Sequence, residues 1–164
     1  MFSSVVRSCL RSGTTTGGVT KVSVTGSHCV LELYECPPEI LNDLDRISEA
    51  LAEAAKVAKS TLLSQTAHRF EPQGVTALGL LAESHISVHT WPELGYAAAD
   101  VFTCGEHCLP EAACKSLVAA LQAGRHELTR IERGEAVRQP RPQRTPAPTA
   151  AATTDAASGN ASAG

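Results

Sequence analysis

The hydrophobic positions of this 164-residue chain recur in short runs, and their alternation with polar positions predicts six β-strands. In the fourth strand, alternation places Ile86 and Val88 on one face and the imidazoles of His85 and His89 on the other. The predicted strands cover residues 28–36, 61–68, 75–82, 86–90, 96–103 and 126–132.

Two amphipathic helices are predicted between these strands. From residue 40 to residue 58 the apolar positions step by four and three, with acids crowding the first turns and lysines the last, as the helix dipole favours. The second helix covers residues 110–123, with Pro110 in its first turn and Gly124 at its end. The order of elements predicts an α+β fold, a βαβ-ββ-βαβ-like pseudo-repeat with both helices on one face of an antiparallel sheet. Because the other face then needs cover, we expect a dimer with an α/β/β/α sandwich.

Composition divides the chain into one domain and two extensions. Residues 26–137 carry the periodic patterns and form the predicted domain. Residues 1–25 end in a Gly- and Thr-rich stretch and predict a flexible N-terminal extension. Residues 138–164 consist largely of Pro, Ala, Thr, Ser and Gly, a composition typical of a disordered tail because it buries little apolar area.

Charge and cysteine content narrow the class of function. Residues 26–135 hold sixteen acids against eight bases, which argues against a nucleic-acid-binding surface. No apolar run is long enough to cross a membrane. Six cysteines without a secretory signal indicate reduced thiols and a cytoplasmic protein. The Arg- and Ser-rich, acid-free residues 1–12 leave organellar targeting as an alternative.

Residues 82–105 concentrate the candidate chemistry. This stretch holds the only Trp, two of the six His, a Glu-Ser pair and a Cys at the end of a strand. The spacing of its His and Cys residues, together with that of His107 and Cys108, fits no common zinc motif, so we expect no metal site. Ser84 lacks the G-x-S-x-G elbow of a hydrolase nucleophile and, taken alone, is typical of a turn.

The surrounding string changes this interpretation. Residues 83–93 read E-S-H-I-S-V-H-T-W-P-E, and residues 100–105 read D-V-F-T-C-G. With residues 31–36, 68–75 and 131–134, these motifs closely resemble the S-adenosylmethionine decarboxylases of the short prokaryotic type. The resemblance covers most of the chain outside its two extensions.

The resemblance implies a proenzyme that cuts itself between Glu83 and Ser84. Ser84 would attack the Glu83 carbonyl to form an ester, and His89 would act as the proton acceptor that leads to chain cleavage. Residues 1–83 would become the β chain, and residues 84–164 the α chain, which begins with a pyruvoyl group derived from Ser84. Thr76 stands where the family commonly has a serine that assists this step.

The same resemblance implies the roles of further residues in turnover. The pyruvoyl group would form a Schiff base with S-adenosylmethionine, and Cys104 would donate a proton to the carbon that loses CO₂. Phe70 would stack on the adenine, and Glu93 would bind the ribose hydroxyls. His85, Trp91 and Tyr96 are interpreted as packing groups. The implied product donates aminopropyl groups for spermidine synthesis, and the implied assembly is an (αβ)₂ heterotetramer.

Two alternatives remain open. A pyruvoyl-dependent decarboxylase of arginine or ornithine would share the scaffold, although it would need neither Phe70 nor Glu93. A binding module that never cleaves belongs to a different class, and a denaturing gel would separate it from a proenzyme.

Overall fold

The computed structural model describes residues 25–134, which form one six-stranded sheet with helices packed against one face. The domain boundaries at residues 26 and 137 stay a prediction, and the predictions for residues 1–24 and 135–164 lie outside the described residues. The strands are β1 (Gly26–Tyr34), β2 (Leu62–Arg69), β3 (Val75–Leu81), β4 (Ser84–Trp91), β5 (Tyr96–Cys104) and β6 (Arg125–Arg133). The helices are α1 (Pro38–Leu41), α2 (Leu44–Val57) and α3 (Pro110–Ala120).

The predicted first helix is two helices in the structure, and this part of the prediction was wrong. The break lies at Asn42 and Asp43, where the Asp43 side chain accepts hydrogen bonds of 3.1 Å from the backbone N–H groups of Asp45 and Arg46. An aspartate in this geometry caps the start of a new helix, so α2 begins at Leu44 even though the apolar spacing continues across the break.

All strand pairs are antiparallel, and the sheet order is β2-β3-β4-β5-β1-β6. The predicted α+β class, with an antiparallel sheet and the helices on one face, is confirmed. The sheet also interleaves the two predicted halves, because β1 lies between β5 and β6 rather than beside β2.

The core lies between the sheet and the two longer helices. Helix α2 packs on β2, β3 and β4, α3 packs on β1 and β5, and the two helices contact each other. Gly79 allows α2 to approach β3 closely, because an added Cβ would lie 2.6 Å from a methyl group of Leu51. The largest fully buried side chains on this side include Leu31, Leu33, Ile47, Leu51, Ile86, Val88 and Leu117.

Among residues 25–134, no helix packs on the other face of the sheet. Exposed apolar side chains on this open face include Leu78, Leu80 and Ile131, which pair in register with Ser87, His85 and His28. A polar network lies among them, in which Asp100 accepts hydrogen bonds from His28 (3.1 Å) and Ser87 (3.2 Å). The expected dimer, with a second layer on this face, stays a prediction.

Candidate active site

The Glu83–Ser84 peptide lies in the tight connection between β3 and β4. Strand β4 begins at Ser84, two residues earlier than the pattern predicted, so only Ala82 and Glu83 link the two strands. The Glu83 carbonyl oxygen accepts two hydrogen bonds from one residue, the Cys104 N–H at 3.1 Å and the Cys104 Sγ at 2.7 Å. The carbonyl that the resemblance marks for attack thus faces two donors from the end of β5.

The Ser84 hydroxyl also has a partner close by. Its Oγ lies 3.2 Å from Nδ1 of His85, an exposed imidazole on the open face. His85 was interpreted as a packing group, but its Nδ1 lies within hydrogen-bond distance of the Ser84 hydroxyl. In register, Ser84 pairs with Thr103, which brings the Glu83–Ser84 peptide next to Cys104.

Thr76 and His89 form a second group at the opposite end of β4. They are paired in register on β3 and β4, and Thr76 Oγ1 lies 2.9 Å from His89 Nδ1. Thr76 is therefore placed to fix the orientation of the imidazole by its hydrogen bond to Nδ1.

Phe70 and Glu93 flank this second group in loops. Phe70 follows β2, is 47% exposed, and stacks edge-on against His68 with ring centroids 4.8 Å apart. Glu93 lies in the short 3₁₀ turn after β4 and accepts a hydrogen bond of 3.1 Å from the Gln73 side chain. Both side chains are accessible, as a substrate-binding role requires.

The candidate residues therefore fall into two groups within one protomer. Five residues of extended strand separate Ser84 from His89, a distance of roughly 16 Å. Although residues five apart on a regular strand point to opposite faces, the Ser84 hydroxyl lies 3.2 Å from Nδ1 of His85, which shares the open face with His89. The structure joins Glu83, Ser84 and Cys104 at one end and Thr76 and His89 at the other.

The loop after β5 adds residues that the sequence analysis did not assign to the site. Cys108 Sγ lies 3.5 Å from the Cys104 carbonyl and 3.5 Å from His107 Nε2. Burial and then the negative charge of Glu83 are among the causes that raise the pKa of Cys108, so this thiol stays protonated at neutral pH. The Gly105 backbone (φ +106°) allows the loop to turn, and the His107 ring packs where a Cβ would lie.

Neither a cluster of metal-ligating side chains nor a membrane-spanning helix occurs among the described residues. Between residues 25 and 134, no three His, Cys, Asp or Glu side chains come together as a metal site would require. None of the helices in this range has the length and apolar character needed to span a membrane. The five cysteines of the same range form no disulfide.

Comparison with known proteins identifies the family. The S-adenosylmethionine decarboxylase family model matches residues 27–134, which is nearly all of the described structure. The chain belongs to this family. The predicted family is confirmed. The prediction of a decarboxylase that acts on S-adenosylmethionine is confirmed with it.

Similar proteins come from bacteria and archaea. The chain is 56% identical over 110 residues to the S-adenosylmethionine decarboxylase proenzyme of Parasynechococcus marenigrum, covering 67% of this chain and 86% of the relative. It is 48% identical over 109 residues to the proenzyme of Methanococcus vannielii, covering 66% and 89%. The crystal structure of the adenosylmethionine decarboxylase from Aquifex aeolicus superposes with a TM-score of 0.62 at 37% identity, covering 66% of this chain and 90% of that one.

Proposed function

We propose that this chain cuts itself between Glu83 and Ser84 and then decarboxylates S-adenosylmethionine at a pyruvoyl group formed from Ser84. The observation that carries the proposal is the Glu83 carbonyl, held by the Cys104 N–H and Sγ beside the Ser84 hydroxyl. The relatives are named proenzymes, which supports a cleaved product.

In the first step the Ser84 Oγ forms a bond to the Glu83 carbonyl carbon, and the carbon–nitrogen bond breaks. The hydroxyl proton moves, by way of His85 Nδ1 at 3.2 Å, to the nitrogen that becomes the Ser84 amine. Negative charge develops on the Glu83 oxygen during the attack, where the two Cys104 donors stabilise it. The product is an ester that links residue 83 to the Ser84 side chain.

In the second step a base removes the Ser84 Cα proton, and the bond between Ser84 Cβ and Oγ breaks. Glu83 leaves as a carboxylate at the end of the β chain (residues 1–83), and dehydroalanine remains at residue 84. Water then replaces the nitrogen, ammonia is released, and the α chain (residues 84–164) begins with the pyruvoyl group. His89 is the proposed base, held by Thr76.

The distance within one protomer supports a second copy as the source of the base in this step. His89 of the same chain lies roughly 16 Å along β4 from Ser84, beyond the reach of a proton transfer. The open face carries His89 and exposed apolar side chains, and two such faces packed about a twofold axis would bring the partner's His89 toward Ser84. We therefore propose an (αβ)₂ assembly with sites built from both protomers.

The residues at the Ser84 end fit the proposed pyruvoyl group. Its atoms come from Ser84 itself, and the Cys104 thiol contacts the neighbouring Glu83 carbonyl. A pyruvoyl group supplies a carbonyl that accepts the electron pair left by the departing CO₂. Cys104 Sγ, which lies 2.7 Å from the Glu83 oxygen, would donate the proton to the carbon that loses CO₂. Phe70 would stack on the adenine of the substrate, and Glu93 would bind its ribose hydroxyls.

Intact mass spectrometry of the purified protein tests the cleavage. We expect two chains divided before residue 84, with the second lighter by one ammonia than a chain that begins with serine. A single uncut chain would contradict the proposal and favour a binding module. Release of CO₂ from S-adenosylmethionine, assayed beside arginine and ornithine, tests the substrate; release from arginine or ornithine alone would favour the alternative decarboxylase.

A further inference from the structure

The Glu83 side chain is a buried carboxylate with no part in the steps described so far. It is 3% exposed, although the chain immediately after it must be reached by the Ser84 hydroxyl and later by water. Burial of a carboxylate is unfavourable unless hydrogen bonds or opposite charge compensate for it. The contacts of the Glu83 carboxylate therefore indicate the reason for its burial.

Those contacts fix the carboxylate at two points. Its Oε2 accepts a hydrogen bond of 2.8 Å from the Thr61 N–H, and its Oε1 lies 3.9 Å from Nε2 of His107. A backbone hydrogen bond joins the same two segments in the opposite direction: the Ala82 N–H donates to the Thr61 carbonyl at 2.9 Å. The residue before the scissile bond is thus joined to the segment that leads into β2.

The carbonyl of Glu83 is held from the opposite side by Cys104, as described above. A residue fixed at both its side chain and its carbonyl has little freedom to rotate about its backbone bonds. The direction of the carbonyl decides whether its oxygen meets the Cys104 donors, and attack by the hydroxyl depends on such alignment.

We infer that Glu83 is a positioning residue for the self-cleavage: its carboxylate, clamped by the Thr61 N–H and His107, aims the scissile carbonyl at Cys104. The inference rests on the proposed self-cleavage and adds a role for the side chain of the residue before the cut. The clamp acts in the ester-forming step. Its loss slows formation of the ester and leaves the later elimination unchanged.

Cleavage rates of three variants test this inference, followed on denaturing gels after cell-free synthesis. Glu83→Ala removes both contacts, and we expect cleavage at least about tenfold slower, the effect of losing one hydrogen bond to a charged group. Glu83→Gln keeps an acceptor for the Thr61 N–H, so we expect a rate within about threefold of the unaltered chain. Glu106→Ala, which removes an exposed carboxylate from the neighbouring loop, is the matched control and should cleave normally.

Hydroxylamine identifies the step that is affected, because it cuts an ester and not a peptide bond. The uncut Glu83→Ala chain should resist hydroxylamine, whereas a His89→Ala chain should stall as the ester and be cut. Normal cleavage of Glu83→Ala, accumulation of a hydroxylamine-sensitive ester in it, or equal slowing by Gln and Ala would overturn the inference. An unaltered chain that stays whole would instead overturn the proposed self-cleavage.

Thermal unfolding separates positioning from folding. Each Glu83 variant is combined with Ser84→Ala, which cannot form the ester, and its Tm is compared with that of Ser84→Ala alone. If the Glu83→Ala combination does not fold, Glu83→Asp takes its place, because it keeps the charge but falls one methylene short of the Thr61 N–H. The same tenfold slowing and hydroxylamine resistance are then expected of a folded Glu83→Asp chain, and a normal rate would overturn the inference.

Discussion

The two ends of strand β4 differ in how the fold holds their functional groups. At the Ser84 end, the scissile carbonyl lies among backbone and side-chain donors from β5 and the loop that follows it, and the Glu83 side chain is buried. At the His89 end, the imidazole is held by a single hydroxyl on the open face, and the nearby Phe70 and Glu93 are exposed. The groups at the Ser84 end contact one another within the protomer, whereas Phe70 and Glu93 at the His89 end are exposed.

In the proposed mechanism, this difference corresponds to different roles in two copies of the chain. The buried end would carry the bond to be broken, and the exposed end would carry groups that act on the other copy's bond or on a substrate. Cleavage would then depend on assembly, because Ser84 and His89 of one protomer are too far apart to act together.

The largest expected effect comes from mixing two inactive variants. Ser84→Ala cannot form the ester, and His89→Ala cannot complete the elimination, so neither cleaves alone. In a mixed dimer the intact Ser84 of one chain meets the intact His89 of the other, and we expect the His89→Ala chain to be cut. Co-expression with different affinity tags and a denaturing gel measures this; no cleavage in a confirmed mixed dimer would mean that each chain supplies its own base.

A smaller effect is expected at Cys104. The proposed mechanism uses its thiol first as a hydrogen-bond donor to the Glu83 oxygen and later as the proton donor in turnover. Cys104→Ala removes the Sγ donor to the Glu83 oxygen and leaves the backbone donor, so self-cleavage should slow on the order of 100-fold. Cys104→Ser restores a donor, and its cleavage should recover while CO₂ release per cleaved chain stays low, because a hydroxyl is a far weaker acid than a thiol. Cleavage of Cys104→Ala at the normal rate would remove the thiol from the first step.

At the His89 end, loss of the Thr76 hydroxyl should have a milder effect. Thr76→Ala leaves the imidazole without its 2.9 Å partner, and we expect elimination of the ester to slow by about two- to tenfold, the effect of one neutral hydrogen bond. Thr76→Ser should restore the rate. The lifetime of the hydroxylamine-sensitive ester measures the effect, and an unchanged lifetime in Thr76→Ala would leave the hydroxyl with a packing role only.

Much of this comparison follows from the sequence, and the remainder required coordinates. The alternation of Ile86 and Val88 with histidines predicts one apolar and one polar face, because strand periodicity is a local property. The motif around residues 83–93 identifies the family and the candidate residues. The start of α2 at Leu44 was missed because the helical spacing continues through Asp43, whose capping role depends on its geometry.

The tertiary contacts of the site had no local signal. The approach of Thr61 and His107 to the Glu83 carboxylate joins residues 22 and 24 positions away, through the packing of β2 and the loop after β5. The place of β1 between β5 and β6 is likewise a consequence of long-range pairing. The distance between Ser84 and His89, by contrast, follows from the rise per residue of a strand and could have been predicted.

The smallest effect concerns the core beneath the Ser84 end, where Cys114 of α3 is 1% exposed. Burial, together with the neighbouring Cys29, raises the pKa of Cys114 to about 12 from its ordinary value of 9.0. Below pH 9 both the folded and unfolded chains keep this proton. Above it only the unfolded chain ionises, so the free energy of unfolding should fall between pH 9 and 12, by at most about 1.4 kcal/mol per pH unit from this thiol.

Denaturant unfolding at pH 7 and pH 10 measures this loss, and Cys114→Ala should reduce the difference between the two. The single Trp of the sequence, Trp91, lies at the His89 end beside Tyr96, whereas circular dichroism reports on the whole domain. The two probes should give one transition, because β4 and β5 run continuously between the two ends of the site. Separate transitions would mean that the two ends unfold independently and that the Ser84 end alone depends on the thiol.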